Sequence, residues 1–169
     1  MDSAELERLY DAHAPGLYHY VMGFTHNEAD TRDVLQEVFI KLARLRGREA
    51  AWQNERAFVY RLAHNFSVDW LRRRRVKEQT LERCAREAAG LVDGGSDPDG
   101  REFAAQLEAA FAELPDEQRS VAQLRLREGL AFEEISAIQG IPLNTAASRY
   151  RYAIDKLRTL LRPIYGELQ

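Results

Sequence analysis

The residues best placed to do chemistry lie between Asn54 and Lys77, in NERAFVYRLAHNFSVDWLRRRRVK, and that chemistry is the neutralisation of a polyanion. Arg72, Arg73, Arg74, Arg75 and Lys77 concentrate positive charge at the end of a segment with helical periodicity. Only a nucleic acid or a very acidic partner neutralises such a density efficiently, and nucleic acid is the first candidate. Phe58, Leu62, Phe66 and Trp70 recur every four residues with Val59 and Ala63 beside them, an apolar stripe that a helix buries. Opposite this stripe the spacing places Arg61, His64, Val68, Arg72 and Arg75. Aromatics at such spacing are core more often than stacking platforms, and arginine runs are often merely solvated. This run, however, tops an amphipathic helix instead of lying in a polar tail.

A second polar face lies near the C-terminus. Phe132, Ile135 and Ile138 mark a short helix, Gly140, Ile141 and Pro142 a tight turn, and the pattern from about Leu143 to Leu161 a long helix. These are the ingredients of a helix-turn-helix, although a purely structural three-helix packing uses the same parts. The long helix turns Leu143, Ala146, Tyr150, Ile154, Leu157 and Leu161 inward and Asn144, Thr145, Ser148, Arg149, Tyr152 and Lys156 outward. Hydrogen-bonding side chains near its first turns suit the edges of bases and the phosphates of a major groove.

A third face is acidic. Asn27 opens a helix through about Leu45 with Glu28 and Asp30 in its first turn and Lys41 and Arg44 in its last, the order that the helix dipole favours. Its inner stripe is Val34, Leu35, Val38, Leu42 and Leu45, and its outer stripe is Asp33, Gln36, Glu37, Ile40 and Arg44. The outer stripe is either a bland solvated face or a docking surface for a basic partner helix, since it sets an exposed isoleucine among carboxylates.

Enzyme chemistry finds little support. His13, His19, His26 and His64 are scattered without ligand or triad spacing, and Cys84 is the single cysteine. There is no glycine-rich phosphate loop, and the acids sit on outward helical faces. No catalytic residue, metal or cofactor is therefore expected.

The elements that must position these faces are helical throughout, because the apolar runs follow a 3.6-residue period and none alternates cleanly. Over 169 residues with 45% hydrophobic content, one domain or two small ones can form a packed core. A net charge of −3 makes any nucleic-acid binding local and oriented. Ser3 caps a first helix carrying Leu6, Leu9 and Tyr10, which Pro15 interrupts or restarts before Leu17, Tyr20, Val21 and Phe24. Trp52, in the loop from Gly47 to Asn54, reads as a lid on the core. After the arginines the helix is expected to fray, and Gly90 to Gly100, GLVDGGSDPDG, reads as a flexible acidic linker. The expected layout is residues 1–88, a linker at 89–101, and 102–169. Phe103, Leu107, Ala110, Phe111 and Leu114 form a helix in the second module, and Pro115 opens the next, carried by Val121, Leu124 and Leu126. No run is long enough to span a membrane, and a reducing cytoplasm fits the lone cysteine.

With these parts in order, the chain resembles the bacterial RNA polymerase sigma factors of the extracytoplasmic function (ECF) type, which keep only the second and fourth conserved regions. YDAHAPGLYHYVMGF and ADTRDVLQEVFIKL are similar to the opening and core-polymerase-binding helices. RAFVYRLAHNFSVDWLRRRR resembles the segment that melts and reads the minus-ten element. ELPDEQRSVAQLRLREGLAFEEISAIQGIP and SRYRYAIDKLR resemble the reader of the minus-thirty-five element. The resemblance implies a non-catalytic initiation factor that binds core RNA polymerase and promoter DNA, with an anti-sigma factor as a further partner. It implies that Asp33, Gln36, Glu37 and Ile40 grip the polymerase clamp helices. It likewise implies that Arg72, Arg73, Arg74 and Arg75 hold phosphates, that Arg61 and Asn65 meet the opening strand, and that the loop with Trp52 and Asn54 cradles a flipped base. Asn144, Thr145, Ser148, Arg149 and Tyr152 fall to the upstream element. Asn144 and Ala147 depart from the family's usual glycine and lysine, and Pro142 stands where a capping Ser or Thr is common. The runner-up reading is a stand-alone helix-turn-helix regulator with a sensing or dimerising first module, and a third is an adaptor that never touches DNA.

Overall fold

The computed structural model describes residues 3–45, 54–82 and 100–166, with side chains for 4–45, 54–76 and 105–162. Seven helices are present among them: α1 (Ser3–Thr25), α2 (Glu28–Arg44), α3 (Glu55–Glu82), α4 (Gly100–Ala112), α5 (Asp116–Leu126), α6 (Phe132–Gln139) and α7 (Leu143–Gly166). The expected linker falls outside the described residues except for Gly100 and Arg101, which already belong to α4. The expected base-cradling loop, with Trp52, also lies outside them apart from Asn54.

α1 runs unbroken through Pro15, where a break or restart is expected from the sequence. Leu9, Leu17, Tyr20 and Val21 are buried on both sides of the proline, so packing outweighs the one lost backbone bond. Tyr10, expected on the apolar face, is 55% exposed. The helix ends at His26, whose φ of 52° is left-handed, while its N–H donates to Met22 O at 2.9 Å. Glycine usually holds such a position, because a side chain there is strained. The next residue, Asn27, caps α2 by accepting from Asp30 N at 3.1 Å. Thr25 and Thr31 tie the two helices together with a buried hydroxyl pair at 2.6 Å.

α3 departs from its expected phase. Its fully buried positions are Val59, Tyr60, Ala63 and Ser67, and Phe58, Leu62, Phe66 and Trp70 are only partly buried against them. α3 packs against α1 and α2 on one side and α6 on the other, so its buried surface wraps further than a single stripe. His64, expected on the outer face, is thereby drawn inward, with Tyr20 Oη 2.9 Å from its Nδ1.

In the second half of the chain Pro115 sits just ahead of α5 at the capping position, and Gly140 turns the chain between α6 and α7 with a φ of 65°. Ser136 Oγ closes that turn by donating to Ile141 O. Leu143, expected to face inward, is 43% exposed, and Ala153 takes a buried place on α7 instead. One apolar cluster joins α4, α5 and α7 through Phe111, Ala122, Ala153 and Leu157. The larger cluster crosses from one half of the chain to the other: Leu17, Val21, Val38 and Ala63 share it with Val121, Leu124, Ile135 and Ala146.

Candidate polymerase and nucleic-acid interfaces

The outer face of α2 is solvent-facing. Asp33, Gln36 and Glu37 are exposed and Ile40 is 43% exposed, whereas Val34, Val38 and Leu42 on the opposite face are buried. Beside Ile40 an apolar groove of about 800 Å³ opens between α1 and α2, with Leu6, Tyr10, Leu35 and Phe39 in its wall. Tyr10 and Phe39 stack obliquely there with ring centroids 5.0 Å apart. A large apolar surface left open next to carboxylates is the composition of a docking face.

On α3, Arg72, Arg73, Arg74 and Arg75 are all exposed. Arg74 lies over the Trp70 ring at 5.3 Å and donates to Thr25 O at 3.4 Å, while Arg72 pairs with Asp69 at 3.1 Å. Arg73 reaches Glu37 of α2 at 3.6 Å. The acids of α2 and the arginines of α3, read separately in the sequence, thus face each other across one groove of about 780 Å³ that holds Asp30, Asp33, Glu37, Arg72, Arg73 and Arg74. Arg61 is exposed with its guanidinium 5.5 Å from the Phe58 ring centroid, and Asn65 is exposed one turn further on. Asn54 is differently employed. Its side-chain oxygen caps α3 by accepting from Ala57 N at 2.9 Å, and its amide donates to Glu134 of α6.

On α7, Asn144 and Tyr152 are exposed, and Arg151, absent from the expected set, lays its guanidinium 5.2 Å from the Tyr152 ring centroid. Thr145 and Ser148 are half-buried, and the Ser148 hydroxyl donates locally to Thr145 O at 3.0 Å. Arg149 pairs with Glu117 of α5 and borders a cleft of about 540 Å³ shared with His64, Arg72 and Arg75 of α3. The His64 pKa falls to about 4, first through burial and then through the charge of Arg149. His26 is also held below the usual histidine range, by burial and by the neighbouring Arg119.

Arg119 itself is the feature that sequence reasoning missed. It is 5% exposed, and its guanidinium binds carbonyls from two distant parts of the chain. In the sequence it resembles any helix-surface arginine, and the available signal lay elsewhere. Gly16 and Gly23 stand two turns apart on one side of α1, and a Cβ at either would crowd residues packed on it.

Two families match this arrangement in chain order: Sigma-70 region 2 over residues 9–76 and Sigma-70, region 4 over residues 110–159. The protein is thus of the sigma-factor class, built from two of that class's conserved regions. The RNA polymerase sigma factor CarQ of Myxococcus xanthus is 32% identical over 165 residues, covering 96% of this chain and 90% of that protein. The ECF RNA polymerase sigma-E factor of Escherichia coli K12 is 32% identical over 150 residues, covering 79% and 76% respectively. Among solved structures, the sigma factor RpoE of Bartonella quintana, crystallised with the anti-sigma factor NepR, shares the fold. Its TM-score is 0.73 at 18% identity, covering 94% of this chain and 97% of that one. The chain belongs to the ECF family of RNA polymerase sigma factors, and the resemblance read from its sequence is borne out. Its role is to direct promoter-specific transcription. Among the described residues no helix is long and apolar enough to cross a membrane.

Proposed function

We propose that this sigma factor docks on core RNA polymerase through the outer face of α2, opens and reads the minus-ten element with α3, and reads the minus-thirty-five element with α7. The observation that carries the docking assignment is the contrast on α2, where Ile40 stands exposed among Asp33, Gln36 and Glu37 while the opposite face is sealed. The groove beside Ile40 offers a partner helix an apolar seat, and the carboxylates select a basic one. Arg72, Arg73, Arg74 and Arg75 supply sequence-independent phosphate contacts, and Asn65 and Arg61 lie about two and three turns before Arg72 on the exposed side of α3. Asn144, Thr145, Ser148, Arg149 and Tyr152 carry the upstream reading, with Thr145 and Ser148 serving from half-buried positions.

In this reading the chain carries out no covalent chemistry and polymerase supplies all catalysis, in the cytoplasm, under the restraint of an anti-sigma factor. The modules are residues 1–88 and 102–169, the second extended back to Gly100 by the start of α4. Transcription in vitro with purified core polymerase over a genomic fragment library tests it. Initiation should require both core and this chain. Tight, specific DNA binding by the chain alone, with no transcription on adding core, would identify a stand-alone regulator instead.

A further inference from the structure

The second half of the chain carries an apolar trough that none of the three assigned faces uses. Phe111 of α4, Leu126 of α5, and Ile154, Leu157 and Leu161 of α7 line a groove of about 570 Å³. Along α7 it follows the turns that hold Asn144 to Tyr152, so the residues assigned to the upstream element lie outside it. Its floor belongs to the fold, since Phe111 and Leu157 are 3% and 5% exposed and join the cluster shared by α4, α5 and α7. Its lip does not. Leu126 is 48% exposed, a large apolar side chain left in water beside an open groove.

The charges around this trough have one sign. Arg127, Arg158 and Arg162 complete its wall, and among the described residues no carboxylate lines it. In a chain of net charge −3 that is a local reversal. The three arginines are not equivalent. Arg127 pairs with Glu108 and sets its guanidinium 5.1 Å from the Phe111 ring centroid, so it stiffens one wall. Arg158 and Arg162 stand one turn apart on the exposed side of α7. Arg158 reaches only as far as Asp155, at 3.9 Å, with its side chain 78% exposed, a contact too loose to hold it against an incoming anion.

We propose that this groove is a binding site for the free anion of a medium-chain fatty acid, with the acyl chain along the floor and the carboxylate between Arg158 and Arg162. The occupant has to be apolar along its body and anionic at one end. A neutral apolar molecule leaves the two guanidiniums unused, and a small hydrophilic anion leaves Leu126 uncovered. Arginine donates two parallel N–H groups to a carboxylate, which fixes the head group as well as attracting it. From Ile154 to Arg162 the trough follows about 12 Å of helix axis at ~1.5 Å per residue, room for a medium acyl chain. Its volume is also that of small-molecule sites, about 300–1,000 Å³. The site is independent of which helices read the promoter, and it gives the chain an input of its own from lipid chemistry.

Isothermal titration of the full chain with dodecanoate, kept below the concentration at which it forms micelles, tests the proposal. One molecule should bind per chain. Affinity should rise from octanoate through decanoate to dodecanoate, by up to about fourfold for each methylene buried. The Arg158→Gln, Arg162→Gln double variant and Leu126→Glu should each weaken binding at least about tenfold. All three positions are exposed, so the unliganded variants should melt as the wild type does. Dodecyltrimethylammonium, the same chain with a cationic head, should bind no better to the wild type than dodecanoate binds to the double variant. Several dodecanoates per chain, equal binding of the cationic amphiphile, or undiminished binding by both variants would each overturn the proposal. So would no uptake of the monomeric acid. In that event, sedimentation with phosphatidylglycerol vesicles would assign the groove to a membrane surface, self-association abolished by Leu126→Glu to a second copy of the chain, and capture of an acidic amphipathic peptide to a partner helix.

Discussion

Arg73 of α3 and Glu37 of α2 stand 3.6 Å apart, a cation assigned to DNA paired with an anion assigned to polymerase. Both side chains are about half exposed, so the pair itself adds well under ~1 kcal/mol to stability. Its interest is positional, because a partner that engages Glu37 also releases Arg73.

Charge reversal at Glu37 should for that reason act on binding and not on folding. Glu37→Lys and Ile40→Asp are expected to lower core-polymerase affinity at least about tenfold and to leave helix content and melting temperature nearly unchanged. Pull-down of the core subunits alongside a thermal melt checks both. Undiminished capture of core by the Asp33→Lys, Glu37→Lys double variant would end the docking assignment.

Replacing any two of Arg72, Arg73, Arg74 and Arg75 with Gln should weaken holoenzyme binding at every promoter and flatten its salt dependence by about one unit of log slope per lost contact. Base preference should survive. Asn65→Ala should do the reverse, changing which minus-ten sequences open at nearly constant salt slope. Permanganate footprinting of melted thymines at two salt concentrations separates the outcomes, and arginine variants that alter base preference would invert this division.

On α7 the two neighbours Arg149 and Tyr150 should fail differently. Tyr150 packs its ring edge-on against Phe132 at 5.5 Å, so Tyr150→Ala is expected to destabilise the fold by about 2–4 kcal/mol. Arg149→Ala loses only an exposed pair with Glu117 in the free chain, yet should cost about 1–3 kcal/mol at promoters that depend on the upstream element. Equal melting temperatures would mean that the helix phase is wrong.

The fold should loosen in mild acid through His64. Its folded pKa of about 4 lies below the ordinary histidine value of 6.5, so between these values the unfolded chain binds a proton that the folded chain does not. Stability is then fully present above about pH 6.5 and falls as pH drops toward 4, by roughly 3 kcal/mol at most for this shift. His26 titrates in the same direction. Denaturant melts at pH 7 and pH 5 should differ, and His64→Gln should shrink the difference; an unchanged difference would place the titration elsewhere.

Local signals were read well from the sequence and distant ones poorly. Asn27, its acidic first turn and the basic last turn define α2 nearly to the residue, because caps and dipole partners are encoded within a few positions. Likewise the exposed Asp33, Gln36, Glu37 and Ile40 follow from one helical period. The phase of α3 was missed because a helix covered from two sides does not show a single stripe, which left Tyr60 and Ser67 out of the expected core and put His64 on the wrong face. Arg119 was invisible for a related reason. Its partners at Gly23 and His26 lie more than ninety residues away, and no local pattern distinguishes a buried arginine from a solvated one.

That separation also sets an order of events during synthesis. The bond from Gln123 to His19 spans 104 positions, so α1, α2 and α3 are synthesised before α5 exists to meet them. At about 5–20 residues per second the interval lasts several seconds, long enough for a three-helix unit to fold with its inter-module face still bare. That face is therefore made before α5 can cover it, and the first surface to reach it need not be its own.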